Sequence, residues 1–490
     1  AVLFGLYDFN QSGNISKDEM VILHSTLVSA CCKFDKQIRP PPIEFLEDSA
    51  EIAFKLADLD SSGELTVNEL QAYARNVPIA ANFMAYWDDC LAIVNIPAGE
   101  LWEDRDFGAK GTSLYKDPHR FVTRRRGLTP RPTLTPPATG HPGVPSPLTS
   151  SDVVQGLLGD CWFLSAVAVM ASRPHLLQQL FVKTGQEAQG RYCVQLYKNG
   201  DWVYMYIDDR IPCNRTGKVC GLYPPLPPLY CHSTDPNEIW PMLLEKAYAK
   251  AHGSYEALIG GYCDYALRDL TGGVPEAIRL VRDSAKNQKA IEEGTLWDTL
   301  KLYQDDGLLG ASHSVRNKKA GHRAEHPHSG GVLKDHAYSV LELVEAGDAR
   351  LLHLRNPWGM REWSGPWADG TAEWDDAPEV AEACKYTGPV SDGCFWIAFE
   401  DFVEVFNTLY TCRLLPPEDG WCVHRREAAW DKGTAGGCLN YKTWLKNQQF
   451  ALDLPVESEV VVSLTQPDAR FHVHRGPKWN VYDTKMGFVV

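Results

Sequence analysis

The stretch QGLLGDCWFLSAVAV, residues 155–169, is the tightest constraint in the chain. Two glycines and an acid lead into Cys161 and Trp162, and an apolar run follows. The run reads as a helix of about 12 residues, stopped at Arg173-Pro174. Gly159-Asp160-Cys161 therefore puts the cysteine in the first helical turn. Unpaired amides and the helix macrodipole stabilise negative charge there, and the thiolate is the reactive form of cysteine. A small buried cysteine is the ordinary case, but the approach through glycine favours a nucleophile. Gln155 lies on the approach loop, where its amide can donate to a developing oxyanion.

A nucleophilic thiol needs a base held by a third group. His313, His322, His326 and His328 fall in a Gly/Lys-rich stretch that reads as a solvated loop, with a metal site as the lesser reading. His336, in DHAYSV, opens a strand instead. Residues 338–359 (YSVLELVEAGDARLLHLRNPWG) read as a hairpin turning near Ala346. His336 and Asn356 are equally far from Ala346, so a simple register sets them side by side. The asparagine carbonyl can then accept the imidazole N–H and fix its tautomer. Trp358 can shield that bond from water. The plainer reading of Asn356 is a turn residue before Pro357.

Near the beginning, DFNQSGNISKDE (8–19) and DLDSSGELTVNE (58–69) fit the twelve-residue calcium loop of an EF-hand. The first offers Asp8, Asn10, Ser12, the Asn14 carbonyl, Ser16 through a water, and Glu19. The second offers Asp58, Asp60, Ser62, Glu64, Thr66 and Glu69. Gly13 and Gly63 sit where the loop must turn sharply, and Ile15 and Leu65 where paired loops form a short β-bridge. An acidic turn between helices is the alternative for either loop alone. The second loop has the more anionic ligand set and is expected to bind calcium more tightly. The helix entering the first loop is expected to be truncated.

A length of 490 residues allows roughly three domains. The net charge of −15 argues against a nucleic-acid partner; calcium can neutralise part of it. The 14 cysteines are irregularly spaced without a CxxC pair, which points to a reducing, cytoplasmic setting and no thiolate zinc site. No apolar run approaches the ~18 residues of a membrane span. The basic stretch 119–132 can touch an acidic membrane surface peripherally, although a solvated loop is the plainer reading. The proline-dense residues 130–147 exclude helix and sheet interiors. Residues 192–207 read as a hairpin about Asn199-Gly200, and 238–258 as an amphipathic helix. From about 413 the chain alternates apolar and polar, as in FALDL and EVVVSLT, and reads as all-β. The whole is α+β, and the last section is shorter than the ~100 residues of a β-sandwich.

The residues resemble the calpain family of calcium-dependent cysteine proteases. QGLLGDCWFLSA, WVYMYIDDRIP, EIWPMLLEKAYAKAHGSYEALIGG, DHAYSV, LRNPWG and DGCFWIAFEDF follow in the family's order. GTAGGCLNYKTW, NQQFAL and SLTQPDAR resemble the start of its β-sandwich. The resemblance implies a papain-like two-lobed core over 97–412, with a first lobe at 97–261 and a second at 262–412. It would follow an all-α EF-hand pair (1–76) and a linker (77–96), and precede an incomplete sandwich (413–490). It implies a triad of Cys161, His336 and Asn356, and one calcium in each lobe. By motif position Asp152 and Glu238 would be ligands in the first lobe, and Glu362, Asp369 and Asp392 in the second. Where the family has an acid in DGEFW, this chain has Cys394, and Ser150 replaces a basic residue that can pair with that acid. EF-hands ahead of the protease give no support to pairing with a small subunit. The function expected is a calcium-dependent intracellular cysteine endopeptidase acting on protein substrates. The alternative is an inactive calcium-sensing adaptor on the same platform.

Overall fold

The computed structural model describes residues 14–17, 54, 57–58, 62–66, 69, 101–108, 111–114, 149–183, 186–212, 228–235, 238–280, 285–313, 326–416, 419–466, 468 and 470–471. The chain divides into two compact units, Ala1–Trp102 and Glu103–Val490. In the first, β1 (Ile15–Ser16) pairs antiparallel with β2 (Glu64–Leu65), setting Ile15 opposite Leu65. Both side chains are buried, and Gly63 holds a φ of +81° just before β2. These two strands tie the two acidic loops together.

The second unit is built around α1 (Cys161–Ala171), in which every residue is buried. An apolar helix of this kind needs cover on all sides. It is followed by α2 (Pro174–Leu180). A three-stranded antiparallel sheet of β3 (Phe181–Val182), β4 (Arg191–Lys198) and β5 (Asp201–Asp208) belongs to the same lobe. Its β4–β5 turn is Asn199-Gly200, both at positive φ, as a two-residue hairpin demands. The helices α3 (Trp240–His252) and α4 (Cys263–Thr271) complete this core. Phe163 of α1 stacks on Tyr248 of α3, with ring centroids 4.2 Å apart.

The second lobe is an antiparallel sheet. Its strands are β6 (Val274–Arg279), β7 (Gly307–Ser312), β10 (Ala337–Ala346), β11 (Ala349–Arg355), β12 (Cys394–Ala398) and β13 (Thr408–Arg413), in the order β12-β11-β10-β7-β13-β6. The helices α5 (Ala285–Glu292) and α6 (Thr295–Asp306) precede β7, and α7 (Phe399–Val405) follows β12; β8 (His326–Pro327) and β9 (Leu333–Lys334) form a separate small pair. Tyr338, Val340, Leu352, Leu354, Phe395 and Ile397 share a core with Phe402 and Phe406. Ala337 joins the first-lobe core instead, and Ser339 Oγ donates to Ser165 O of α1 at 2.8 Å. The sheet thus packs directly on the helix that begins with Cys161.

Two expectations are corrected. The β10–β11 hairpin turns at Gly347-Asp348, with Ala346 opposite Ala349, and it carries a bulge between Val340 and Glu342. Ser339 faces Arg355, so Asn356 falls beyond β11 and not directly across from His336. The simple register fails because the turn is centred between Gly347 and Asp348, beyond Ala346; the bulge in β10 recovers only part of that offset. The second correction concerns the all-β section. Residues 419–466 contain no strand, only a short turn of helix at Trp444–Lys446. Phe450, Leu452, Leu454, Val460, Val462 and Leu464, the apolar positions of the alternating segments, are exposed. A half-buried strand is stabilised by neighbouring strands and an opposing apolar layer, and among the described residues neither covers these segments.

Candidate active site

Cys161 is the first residue of α1 and is 8% exposed. Asp160 precedes it as the N-cap, but its side chain does not cap the helix. Asp160 is instead fully buried beside Glu245 of α3. Burial, reinforced by the Asp160 charge, pushes the Glu245 carboxyl well above the usual carboxylate range. Glu245 is thereby biased toward its neutral form. The N-terminal amides of α1 are left without an N-cap carboxylate.

The approach loop is held from two sides. Gly156 lies against Leu229 O and Tyr230 O, where a Cβ would clash with backbone. The Gln155 N–H donates to Pro357 O at 2.8 Å, joining the loop before Cys161 to the turn that carries Asn356. Gln155 Nε2 donates to Leu158 O at 2.6 Å. A carboxamide nitrogen has two hydrogens, so one N–H remains for an oxyanion.

His336 Nε2 and Asn356 Oδ1 are 2.7 Å apart, and both residues are buried. Asn356 Nδ2 donates to Met360 O and Arg361 O, at 2.7 and 3.0 Å, and Oδ1 also accepts from Trp358 N at 3.0 Å. Two carbonyls around the nitrogen leave one orientation for the amide. Its oxygen faces the imidazole, so Nε2 carries the proton and Nδ1 is the basic nitrogen of the neutral ring. The Trp358 ring lies 5.2 Å from the His336 ring, and Tyr338 meets that ring edge-on at 5.0 Å. The diagonal placement created by the bulge still brings His336 and Asn356 together.

The expected metal ligands gather in two sets. Asp152 accepts from Thr149 N and Oγ1, at 2.7 and 2.8 Å. Glu238 accepts from Ser233 Oγ at 2.8 Å. Burial raises the Glu238 carboxyl, and the charges of Asp152 and Asp235 add to this. In the second lobe Glu362 accepts from Gly393 N, Asp369 from Val390 N and Asp392 from Cys394 N, each at 2.8 Å. Burial raises Glu362 and Asp369, and the Asp392 charge pushes in the same direction. Carboxylates that repel one another across a short gap suit a hard cation with oxygen ligands. Cys394 is no substitute for an acid: burial and the Asp392 charge push its thiol up to about 12. Beside it the guanidinium of Arg355, fully buried, donates to Ser151 O at 3.3 Å, and its Nε and Nη1 have no hydrogen-bond partner among the described residues.

In the first unit, Asp58 accepts from Ser62 N and Gly63 N at 2.9 and 3.0 Å. Glu69 accepts from Thr66 N and Oγ1 at 3.0 and 2.8 Å, and Asn14 Nδ2 donates to Glu64 Oε2 at 2.8 Å. Asp8, Asn10, Ser12, Glu19 and Asp60 lie outside the described residues.

Several supporting residues escape a reading of the sequence. Trp162 Nε1 donates to Leu258 O at 2.8 Å, and Gly261 lies against the same indole where a Cβ would clash. The paired Gly260-Gly261 is the available signal, since glycine marks close approach. The Arg361 guanidinium stands over the Trp358 ring, 5.4 Å from its centre.

The model of the calpain family cysteine protease matches residues 102–413. The chain belongs to the calpain family. The calpain large-subunit domain III model matches residues 426–490. The calpain-type cysteine protease ADL1 of rice is 38% identical over 325 residues, covering 65% of this chain and 14% of that protein. Rat calpain-9 is 34% identical over 401 residues, 76% of this chain and 54% of that protein. The bovine calpain-2 catalytic subunit is 33% identical over 402 residues, 77% and 52% respectively. The chain thus spans about half the length of these two animal relatives, and far less of the plant one. Its mixed sheets and helices are consistent with a calpain protease core.

Proposed function

We propose that this calpain is a calcium-activated cysteine endopeptidase of the cytoplasm that cleaves proteins through Cys161, His336 and Asn356. The observation that carries this reading is the Asn356 amide, pinned so that its oxygen receives the His336 Nε2 proton. His336 Nδ1 takes the Cys161 thiol proton, and the thiolate attacks the scissile carbonyl carbon. The Gln155 amide and the Cys161 N–H receive the oxyanion. The C–N bond breaks as His336 returns the proton to the leaving amine, giving an acyl-enzyme thioester. His336 then takes a proton from water, which attacks the thioester and releases the acid and the thiol. Trp358 covers the His336–Asn356 bond throughout.

Asp152 and Glu238 would hold calcium in one lobe, and Glu362, Asp369 and Asp392 in the other. Bound calcium would neutralise these acids and let the lobes close on the substrate. Residues 1–76 are proposed as an EF-hand pair and 426–490 as the counterpart of domain III; the free thiols among the described cysteines suit a reducing setting. The experiment is peptidase activity of the full chain against calcium, with labelling by a thiol-reactive electrophile. Cys161→Ser should abolish both activity and calcium-dependent labelling. Full calcium-dependent activity in that variant would sink the assignment. Wild-type protein without selective labelling at Cys161 would favour the adaptor reading, which the neutral Cys394 in the second acid set supports.

A further inference from the structure

The first lobe gathers buried charge around one lysine. Lys198 ends β4, and its side chain is fully buried. Its ammonium donates to Asp269 of α4 and, at 2.7 Å, to Asp468. It also lies 3.2 Å from His252 Nε2, in the last residue of α3. His252 Nδ1 is 2.8 Å from Tyr248 O, which can only accept, so Nδ1 carries the ring proton and Nε2 accepts from Lys198. Three N–H bonds meet three acceptors. Asp269 also accepts from Tyr248 OH at 2.8 Å and pairs with Arg268. Ligand atoms of His252, Asp269 and Asp468 lie within 4.8 Å of one another, close enough for a metal ion. The lysine ammonium already supplies the cation, so the cluster is an ion-pair centre.

Asp468 comes from outside the protease core, in the residues that match domain III. Its N–H donates to Asn199 Oδ1 at 2.8 Å, at the β4–β5 turn. Burial would raise its carboxyl, but the Lys198 ammonium and the Arg470 guanidinium outweigh burial and hold it far below the usual range. Two residues on, the Arg470 guanidinium stands 4.9 Å from the centre of the Trp162 ring, with its Nε 3.6 Å from Asp468 Oδ1. Phe471 is buried in the first-lobe core. Trp162 directly follows Cys161, and Gly261 and Leu258 O contact the same indole.

We propose that Asp468 and Arg470 are positioning residues of the active site. Asp468 locks onto Lys198, and Arg470 then holds Trp162, and with it the helical turn that presents Cys161. The segment beyond the protease core is thereby part of the catalytic unit. The inference rests on the reading of Cys161 as the nucleophile, and its test separates the two.

The test uses the full chain with calcium. It measures the rate of Cys161 alkylation by iodoacetamide, followed by peptide mass spectrometry, together with kcat and KM. The Arg470 side chain is 29% exposed, so its variants should fold, which thermal denaturation checks. Arg470→Met should slow alkylation and kcat by about three- to thirtyfold, the factor a cation–π contact is worth, with KM unchanged. Arg470→Lys should recover most of the rate, and Asp468→Asn should fall in the same direction as Arg470→Met. Arg425→Ala serves as the control: Arg425 contacts Asn199 O and Asp201 at the same β4–β5 turn, and its loss should leave the rate unchanged. Wild-type alkylation in Arg470→Met, no rescue by Arg470→Lys, or an equal loss in Arg425→Ala would each overturn the positioning role. Absence of selective Cys161 labelling in the unaltered chain would overturn the nucleophile reading, and this inference with it.

Discussion

The two sides of the candidate active site are held by different physics. Behind Cys161 the supports are buried ionisable groups: Asp160 beside Glu245, and Lys198 among Asp269, His252 and Asp468. Behind His336 the supports are a neutral amide and an apolar sheet, with Asn356 fixed by two carbonyls and Tyr338 and Trp358 against the ring. Removing one partner from a buried charge pair leaves the other charge uncompensated. Removing a packed apolar group costs transfer and cavity energy instead. The nucleophile side should therefore fail in stability and the base side in catalysis.

The largest expected effect tests the base side. Asn356→Ala should lower kcat by roughly 10²–10⁴-fold, the worth of a correctly held general base, with little change in melting temperature. A large loss of stability in that variant would erase the contrast. On the nucleophile side, Lys198→Met strands two buried carboxylates and should destabilise the fold by about 3–5 kcal/mol in urea unfolding. Lys198→Met combined with Asp269→Asn should regain part of that loss.

A pH titration sharpens the comparison further. His353 of β11 stacks on Trp396, with ring centroids 4.5 Å apart, and burial lowers it from 6.5 to about 4. A folded value below the unfolded one means that the folded state resists the proton. Its stability contribution is complete above about pH 6.5 and is lost as pH falls toward 4, a total of about 3 kcal/mol. His353→Phe should flatten stability against pH over that window; an unchanged slope would remove His353 as the cause. The smallest effect concerns the second acid set. Cys394→Glu adds an anionic oxygen beside Asp392 and gives Arg355 a partner. It should lower the calcium concentration for half-maximal activity by up to about tenfold, since affinity in such sites follows ligand charge. A higher calcium requirement would argue that Arg355 captures the new carboxylate.

Local features were legible in the sequence. The Asn199-Gly200 turn and the helix opening at Cys161 depend on neighbours in the chain, and both appear where expected. The pairing of His336 with Asn356 was also legible, although through a mistaken register, because diagonal neighbours across a hairpin still meet. The bulge at Val340–Glu342 was hidden, since a run of apolar residues looks alike with or without an extra residue. The centre at Lys198 was invisible for a different reason: residues 198, 252, 269 and 468 are brought together only by folding. The alternating segments after 419 carry a strand's pattern without its partners, and pattern alone does not make a sheet.

The bond from Ser339 to Ser165 spans 174 residues of sequence. It places the order of synthesis inside the architecture of the active site. The helix bearing Cys161 leaves the ribosome first, and the strand that covers it and the histidine proposed to activate it come much later. At ~5–20 residues per second that interval is on the order of ten to thirty-five seconds. During it the nascent chain holds a thiol with no base beside it. Under the proposed function, a protease assembled across so long a separation would be inert while it is being made, and its first opportunity to cut would come only after most of its own core has been translated.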